Sequence, residues 1–388
     1  MAKICMVAFA YYATDPRTSR QSDALIHRGD EVDVVCLKEA AEGMMRNHAG
    51  VKLFPISGRK YRGDSNAAYL LKYCSFFVRA FFLLTFLFFK KRYEIIQVHT
   101  LPDFLVFAAV VPKLFGAKII LDVHELMPEL YSSKFGISEQ HPLVKFITWV
   151  ERRSIDFADK AIAVHLPHRE VLVRHGNPLQ KFSISLNLPD PQIFTCRQNP
   201  PRPGDGKFRL IYHGTIARRN GLEVVFRALR TAREALPTLE FYVMGEGDDL
   251  ERLKGIVKAL QLVDCVNFAG RVPLKEIPSR IIQAHLGIVP IIYDAFTRYM
   301  LPVKLMEYVR LGIPVIASRT ETMLVYFDET MVRYFQPGNE LELAHHIVDL
   351  YQNPQKRELL ALSAEKFNKQ FSWEIQKKEY YDLIDSLL

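Results

Sequence analysis

In the last third of the 388-residue chain, Lys304 and Glu307 stand three residues apart within LPVKLMEYVRLGIPVIAS (301–318). Pro302 suits the first turn of a helix and Gly312 its C-terminal stop, and residues three apart share a helix face. A cation in the first turn opposes the helix dipole, so Lys304 points to a bound anion. That face would offer an ammonium to a diphosphate and a carboxylate to hydroxyl groups; the alternative is a surface ion pair between the two. A second anion site is written in YHGTIARRNG (212–221), where a strand-like run turns through glycine and presents Arg218 and Arg219 before the helical pattern GLEVVFRALR. Guanidinium forks and unpaired backbone N–H groups both favour phosphate oxygens, although solvated arginines on a plain turn have the same spelling. In the first half, His124 closes KIILDVH (118–124), and YYATDPR (11–17) follows the first strand-like run.

The elements that must position these residues alternate. KICMVAF (3–9), EVDVVCL (31–37), VKLFPI (51–56), EIIQVH (94–99), KIILDVH (118–124) and KAIAVH (160–165) are separated by helical patterns, which predicts a parallel doubly wound sheet. FRLIYHG (208–214), LEFYVMGEG (239–247), CVNFAG (265–270), LGIVPII (286–292) and PVIAS (314–318) repeat the pattern. NPPRPGDGK (199–207) sustains neither helix nor central strand and reads as a linker. The expected organisation is an α/β first domain over 1–198, the linker 199–207, a second α/β domain over 208–370 and a helix at 371–388 that crosses back to the first domain. Open α/β sheets bind ligands outside the carboxyl ends of their strands, so two such Rossmann-like sheets with those ends opposed would share a cleft.

Composition narrows the function classes. Cys5, Cys36, Cys74, Cys196 and Cys265 form no C-x-x-C or C-x-x-H pair, so neither a disulfide framework nor a zinc site is indicated. The start, MAKICMVAF, lacks the basic and apolar regions of an export signal, and a cytoplasmic setting is expected. Residues 1–198 hold 26 Lys and Arg against 19 Asp and Glu, whereas 199–388 hold 25 against 24, so the positive excess lies in the first half. It resides in 59–92, with Arg59, Lys60, Arg62, Lys72, Arg79, Lys90, Lys91 and Arg92 against Asp64. The same segment carries YCSFFVRAFFLLTFLFF (73–89), short for a bilayer span and interrupted by Arg79. A buried helix or one docked on anionic lipid through Arg79, Lys90, Lys91 and Arg92 is expected, because the next strand-like run belongs to the soluble domain. Nucleic acid is disfavoured, since the cations are interleaved with Phe and Leu in a helix. A nicotinamide dehydrogenase is disfavoured too, since VAFAYYAT stands where G-x-G-x-x-G would follow the first strand.

TDPRTSRQSDALIHRGDEVDVVCL (14–37), VHTLPDF (98–104), LDVHELMPELY (121–131), SLNLPDPQIF (185–194), YHGTIARRNG and the 301–318 run, in this order, resemble glycosyltransferase family 4, retaining enzymes of GT-B fold that include bacterial cell-surface polysaccharide glycosyltransferases. The resemblance implies a hexosyltransferase in which Glu307 binds ribose hydroxyls, Arg219 with Arg218 holds the donor pyrophosphate and His124 contacts the transferring sugar. The loop bearing Thr14, Asp15 and Arg17 would lie by acceptor and phosphates, and Asp103 and Glu125 fall in matched motifs as further substrate contacts. The family's first glutamate is Tyr299 here, and the lysine usual after the phosphate arginine is Asn220; Lys304 would replace that charge. With no D-x-D triplet in the chain, the diphosphate would be neutralised by side chains and a helix N-terminus, independently of metal. The family implies same-face attack by the acceptor hydroxyl without a dedicated protein base or nucleophile. A UDP- or GDP-linked sugar would be co-substrate, no further cofactor is implied, and the acceptor would be a lipid-linked or polysaccharide-precursor saccharide at the inner face of a membrane. An inactive scaffold subunit and a nucleotide-sugar epimerase of the same architecture are the competing readings.

Overall fold

A computed structural model describes residues 1–38, 47–58, 66–195 and 204–388. Cys196, Arg59, Lys60, Arg62, Asp64 and residues 199–203 of the expected linker lie outside them. The chain divides into two compact units, the first comprising Met1–Asn187 with Glu374–Leu388, the second Leu188–Trp373. The division precedes the expected boundary at 198 because 188–195 is anchored in the second unit: Phe194 is buried and its carbonyl accepts from Arg310 Nε at 2.5 Å.

The first unit holds an eight-stranded sheet in the spatial order Asn47–His48, Val51–Ile56, Glu31–Leu37, Lys3–Ala8, Ile95–His99, Lys118–Val123, Lys160–Ala163, Phe182–Ile184. Every pairing is parallel except that of Asn47–His48. Its central strands are buried along nearly their whole length, as β-branched runs covered on both faces must be. The parallel register sets His99 beside Asp122 at the carboxyl edge. The C-terminal helix Trp373–Asp385 belongs to this unit. Tyr380, Leu383 and Ile384 join Ile4, Met6, Leu25 and Val34 in one apolar cluster, and Tyr381 donates to the Ala24 carbonyl at 2.6 Å.

The apolar segment of 59–92 forms the helix Asn66–Lys91. Over Leu70–Lys91 it is long and apolar enough to cross a membrane, with a mean hydropathy of 1.7. Two observations assign it to a surface instead. The strand that follows, Ile95–His99, is central in the sheet, and one helix face is buried through Phe76, Ala80, Leu84, Leu87 and Phe88. The opposite face exposes Leu71, Val78, Phe82, Phe86 and Phe89. The four cations expected at a membrane divide. Lys90 and Arg92 are exposed, exposed Arg79 donates to the Ser57 carbonyl at 2.5 Å, and Lys91 is drawn inward by the buried carboxylate of Asp33, which also takes the Tyr93 hydroxyl.

The second unit has a six-stranded parallel sheet in the order Val266–Gly270, Leu239–Met244, Phe208–His213, Leu286–Val289, Val315–Ser318, Arg333–Phe335. The helix Leu222–Ala232 buries Leu222, Val225, Phe226 and Leu229 against it. Two glycines let loops at the carboxyl edge touch backbone to backbone. A Cβ on Gly221, whose φ is +65°, would stand 1.8 Å from the Pro290 carbonyl oxygen, and one on Gly245 1.9 Å from that of Gly214.

Candidate functional site

In the second unit, strand Phe208–His213 runs into the turn 214–221, and the helix Val303–Arg310 lies beside it with Lys304 in its first turn. The Lys304 ammonium sits 3.8 Å from the centroid of the Tyr212 ring and 3.3 Å from the place a Cβ on Gly214 would occupy. The face of an aromatic ring attracts a cation, but no carboxylate approaches within the 4.0 Å of an ion pair among the described residues. The expected alternative, a Lys304–Glu307 pair, is therefore not formed. Burial pushes the Lys304 pKa down to about 7, against the opposing pull of Glu307 and with a further contribution from Arg219.

Glu307 is turned to a different partner. Its Oε2 accepts from His213 Nε2 at 2.5 Å, while His213 Nδ1 lies 3.0 Å from the Tyr308 hydroxyl, which in turn accepts from the His213 backbone N–H at 3.2 Å. A carboxylate is acceptor-only, so His213 carries a proton on Nε2; the Tyr308 hydroxyl also faces the Ile211 carbonyl at 3.4 Å. The second oxygen of Glu307 has no partner among the described residues and can accept from hydroxyl groups. Arg218 and Arg219 are exposed on the turn Arg218–Asn220, and neither enters an ion pair among the described residues. Asn220 is inward: its amide donates to the Thr215 carbonyl at 2.6 Å and closes the turn. Tyr299 lies on the turn Thr297–Tyr299 with the Arg298 guanidinium 5.0 Å from its ring centroid. His213 and Tyr308 carried no role in the sequence reading, although both stand in its motifs. The signal was the strand-end position of His213.

The carboxyl edge of the first unit is organised by Asp122, which is fully buried. Arg17 Nε and Nη2 meet its two oxygens at 2.8 and 2.7 Å, and Arg17 Nη1 donates to the Ser185 carbonyl at 2.8 Å. Arg17 thus lies in the interior of the unit, which corrects its expected place on a substrate-facing loop; the guanidinium fork meets both oxygens of a deep carboxylate at once. Asp15 is also structural. It caps the helix Pro16–Arg28, accepting from the backbone N–H groups of Arg17 and Thr18 at 3.2 Å. Thr14 is exposed beside it, bonded to the Tyr11 carbonyl at 3.3 Å.

His124 follows strand Lys118–Val123 and is half-buried, its Nε2 directed inward at 3.4 Å from His99 Nδ1 and 3.5 Å from Asp122 Oδ2. Burial lowers its pKa despite the pull of Asp122. Arg17 and the two histidines hold the Asp122 carboxyl well below the usual range. His99, Asp122 and His124 each place a ligand atom within 4.8 Å of the others, but Arg17 takes both carboxylate oxygens and would repel a cation there. Glu125 is half-buried at the same strand end. Asp103 is buried with Oδ1 unpartnered, and burial plus the charge of Glu151 push its pKa up to about 8. Glu151 itself bonds His175 Nδ1 at 2.9 Å, and Glu129 takes His175 Nε2 at 3.1 Å, which raises that imidazole to about 10.

The family described as "Glycosyl transferase 4-like domain" matches residues 14–183, and "Glycosyl transferases group 1" matches 195–367. The amylovoran biosynthesis glycosyltransferase AmsK of Erwinia amylovora is 23% identical over 219 residues, 56% of this chain and 53% of the relative. The chain spans about half the length of the curated relatives it matches at this level. Among solved structures, sucrose-phosphate synthase from Thermosynechococcus elongatus has a TM-score of 0.80 at 17% identity, covering 100% of this chain and 99% of that one. Anabaena Alr3699/HepE in complex with UDP-glucose has a TM-score of 0.75 at 14% identity, with 100% of both chains covered. These likenesses give the GT-B fold of two Rossmann-like sheets. With one signature on each unit and the two together running over most of the sequence, the chain belongs to the family 4 glycosyltransferases.

Proposed function

We propose that the protein transfers a hexose from a nucleoside-diphosphate sugar to a saccharide hydroxyl with retention of configuration. The observation that carries the reading is the Lys304 ammonium, held over an aromatic ring beside Arg219 and given no carboxylate partner among the described residues. A desolvated cation left in this state gains most from an anion, and a diphosphate reaching the turn 214–221 would meet Lys304, Arg218 and Arg219 together. The free oxygen of Glu307 would accept from the ribose hydroxyls, with His213 fixing its rotamer. As Anabaena HepE is described in complex with UDP-glucose, a UDP-linked donor is the first to test.

In the transfer, the acceptor oxygen bonds to the anomeric carbon as the bond from that carbon to the diphosphate oxygen breaks. The acceptor proton passes to the departing diphosphate, and Lys304 and the arginines stabilise the charge that develops there. His124, with Nδ1 left free of protein partners among the described residues, would meet the transferring sugar. Asp103 and Glu125 stand on the same edge for the acceptor side, and Thr14 marks its exposed rim. A thermal-shift screen with UDP, GDP, ADP and their sugars tests the reading: one nucleoside diphosphate should stabilise the protein, and no response to any of them would refute it.

The exposed face of Asn66–Lys91 supports a peripheral membrane site and a lipid-linked acceptor. Fully burying each large apolar side chain is worth about 1.5–3 kcal/mol, and Lys90 and Arg92 add attraction to anionic headgroups. The protein should float with vesicles containing anionic lipid, and Phe82→Ser with Phe86→Ser should abolish flotation. Undiminished flotation of that variant would remove the helix from the account.

A further inference from the structure

Three helical segments of the first unit, Asn66–Lys91, 103–114 and Pro142–Phe157, share one face of its sheet. Each connects a strand to a parallel one lying further toward Phe182–Ile184, and right-handed crossovers made in one direction fall on one side. Their contacts agree with this. The middle segment packs against both long helices, through Phe104 on Phe77 at 5.9 Å between ring centroids and Phe107 on Phe157 at 5.2 Å. Just beyond it, exposed Phe115 meets exposed Phe89 at 5.2 Å. The outward apolar face of Asn66–Lys91 therefore continues across Leu114 and Phe115 toward Pro142–Phe157, where Phe146 is 59% and Trp149 53% exposed. These two rings stack on each other at 6.0 Å with their outer surfaces in water. Contiguous apolar surface of this kind marks a contact with something outside the chain.

The charge on this surface has one sign. The Arg153 guanidinium lies 5.9 Å from the Trp149 ring centroid, Lys145 and Arg152 are exposed beside it, and none of the three enters an ion pair among the described residues. Asn66–Lys91 contains no carboxylate, Asp103 and Glu151 are buried, and Asp156 is the one exposed carboxylate on the three segments. A second copy of the chain docked through the same face would set these cations against one another. An anionic bilayer offers an apolar interior and negative headgroups together, and an indole with an arginine beside it suits the level at which the two meet. We propose that Pro142–Phe157 is a second membrane-contact helix, which docks on anionic lipid through Phe146, Trp149 and Arg153 alongside Asn66–Lys91. This rests on the peripheral membrane reading and adds an orientation to it. A single helix leaves the unit free to roll about the helix axis, whereas two helices spaced by the middle segment lay one face of the sheet on the bilayer. Pro142–Phe157 leads back to the start of strand Lys160–Ala163, so its first turns, with Phe146 and Trp149, lie toward the carboxyl edge at which His124 stands. Headgroups are thereby brought to the edge proposed to receive a lipid-linked acceptor.

Trp373→Phe leaves Trp149 as the sole tryptophan of the full chain, and its emission reports the contact directly. On vesicles of phosphatidylcholine and phosphatidylglycerol in equal parts the emission should shift to the blue, and bromine on the acyl chains should quench it. Phe146→Ser with Trp149→Ser should leave the melting temperature unchanged, because both side chains face outward, and should weaken binding to the same vesicles by at least on the order of tenfold, as for the loss of two buried aromatic side chains. Arg152→Glu with Arg153→Glu should weaken it too, and pure phosphatidylcholine should bind the native protein less than the anionic mixture. Flotation of the native protein with Trp149 neither shifted nor quenched would overturn the proposal and leave Asn66–Lys91 as the anchor, whereas no flotation at all would remove the membrane reading itself and this helix with it. Undiminished vesicle binding by the Phe146 and Trp149 double variant would overturn it as well. So would conversion of a native dimer to a monomer by that variant in light scattering, which would assign the surface to a contact between copies.

Discussion

At the carboxyl edge of the first unit the Arg17 guanidinium meets both oxygens of Asp122, whereas at that of the second the Lys304 ammonium has the ring of Tyr212 beneath it and no ion-pair partner among the described residues. Both are cations in the first turn of a helix, Pro16–Arg28 and Val303–Arg310. The first is consumed by the fold, and the second has no carboxylate partner among the described residues. The contrast follows from what each group can do without a partner: a carboxylate as deep as Asp122 demands permanent compensation, while the Lys304 ammonium, which burial pushes toward its neutral form, stays in place without one. Position at the carboxyl edge is therefore common to both cations, and the pairing of each charge separates the structural one from the one proposed to bind.

The largest effect that would break this comparison is on stability. Arg17→Met leaves Asp122 uncompensated and should destabilise the protein by about 3–5 kcal/mol in urea titrations. A loss below about 1 kcal/mol would mean that the pair is not structural. Lys304→Met should do the reverse, leaving the melting temperature unchanged or higher while weakening UDP-glucose binding by about 2 kcal/mol, roughly thirtyfold, as for a lost charge-assisted hydrogen bond. Equal binding by calorimetry would remove Lys304 from the donor site.

A finer effect lies in pH. Lys304 titrates near 7 in the free protein, and a bound diphosphate would raise that value, so affinity for UDP-glucose should fall as pH rises from about 6 to 8.5. The diphosphate of a nucleotide sugar has no titration in that range, and Lys304→Met should flatten the curve. A pH-independent native affinity would contradict the assignment.

The smallest effect is at Asp103. Its folded pKa of about 8 lies above the ordinary 3.8, so between those values the folded state holds a proton that the unfolded state has lost. Its contribution therefore becomes less favourable as pH rises from about 4 to 8. Asp103→Asn should stabilise the protein more at pH 8 than at pH 5, read as the difference in melting temperature. Equal shifts at both would show that the carboxyl titrates normally.

Much of the architecture was legible in the sequence because parallel strands covered on both faces must be apolar throughout, and the helices between them carry a separate period. The candidate donor residues stood out in the sequence for local reasons as well. Lys304 contradicts the helix dipole locally, and Arg218 and Arg219 stand on a turn that two glycines announce. The burial of Arg17 was not legible, since its partner Asp122 is 105 positions away and its own surroundings, TDPR, read as a loop. The place of Lys91 was hidden likewise by Asp33, 58 positions distant.

The sequence by itself determined the two alternating α/β patterns, the family and the chemical types gathered at the strand ends, because periodicity and turn residues are local properties of the chain. Tertiary structure decided which charges are spent. It turned Glu307 to His213 rather than to Lys304, placed Arg17 on Asp122, and brought Tyr380 within hydrogen-bonding distance of Gln97 across 283 positions. Those partners are chosen by strand order and helix packing, which no local spacing encodes.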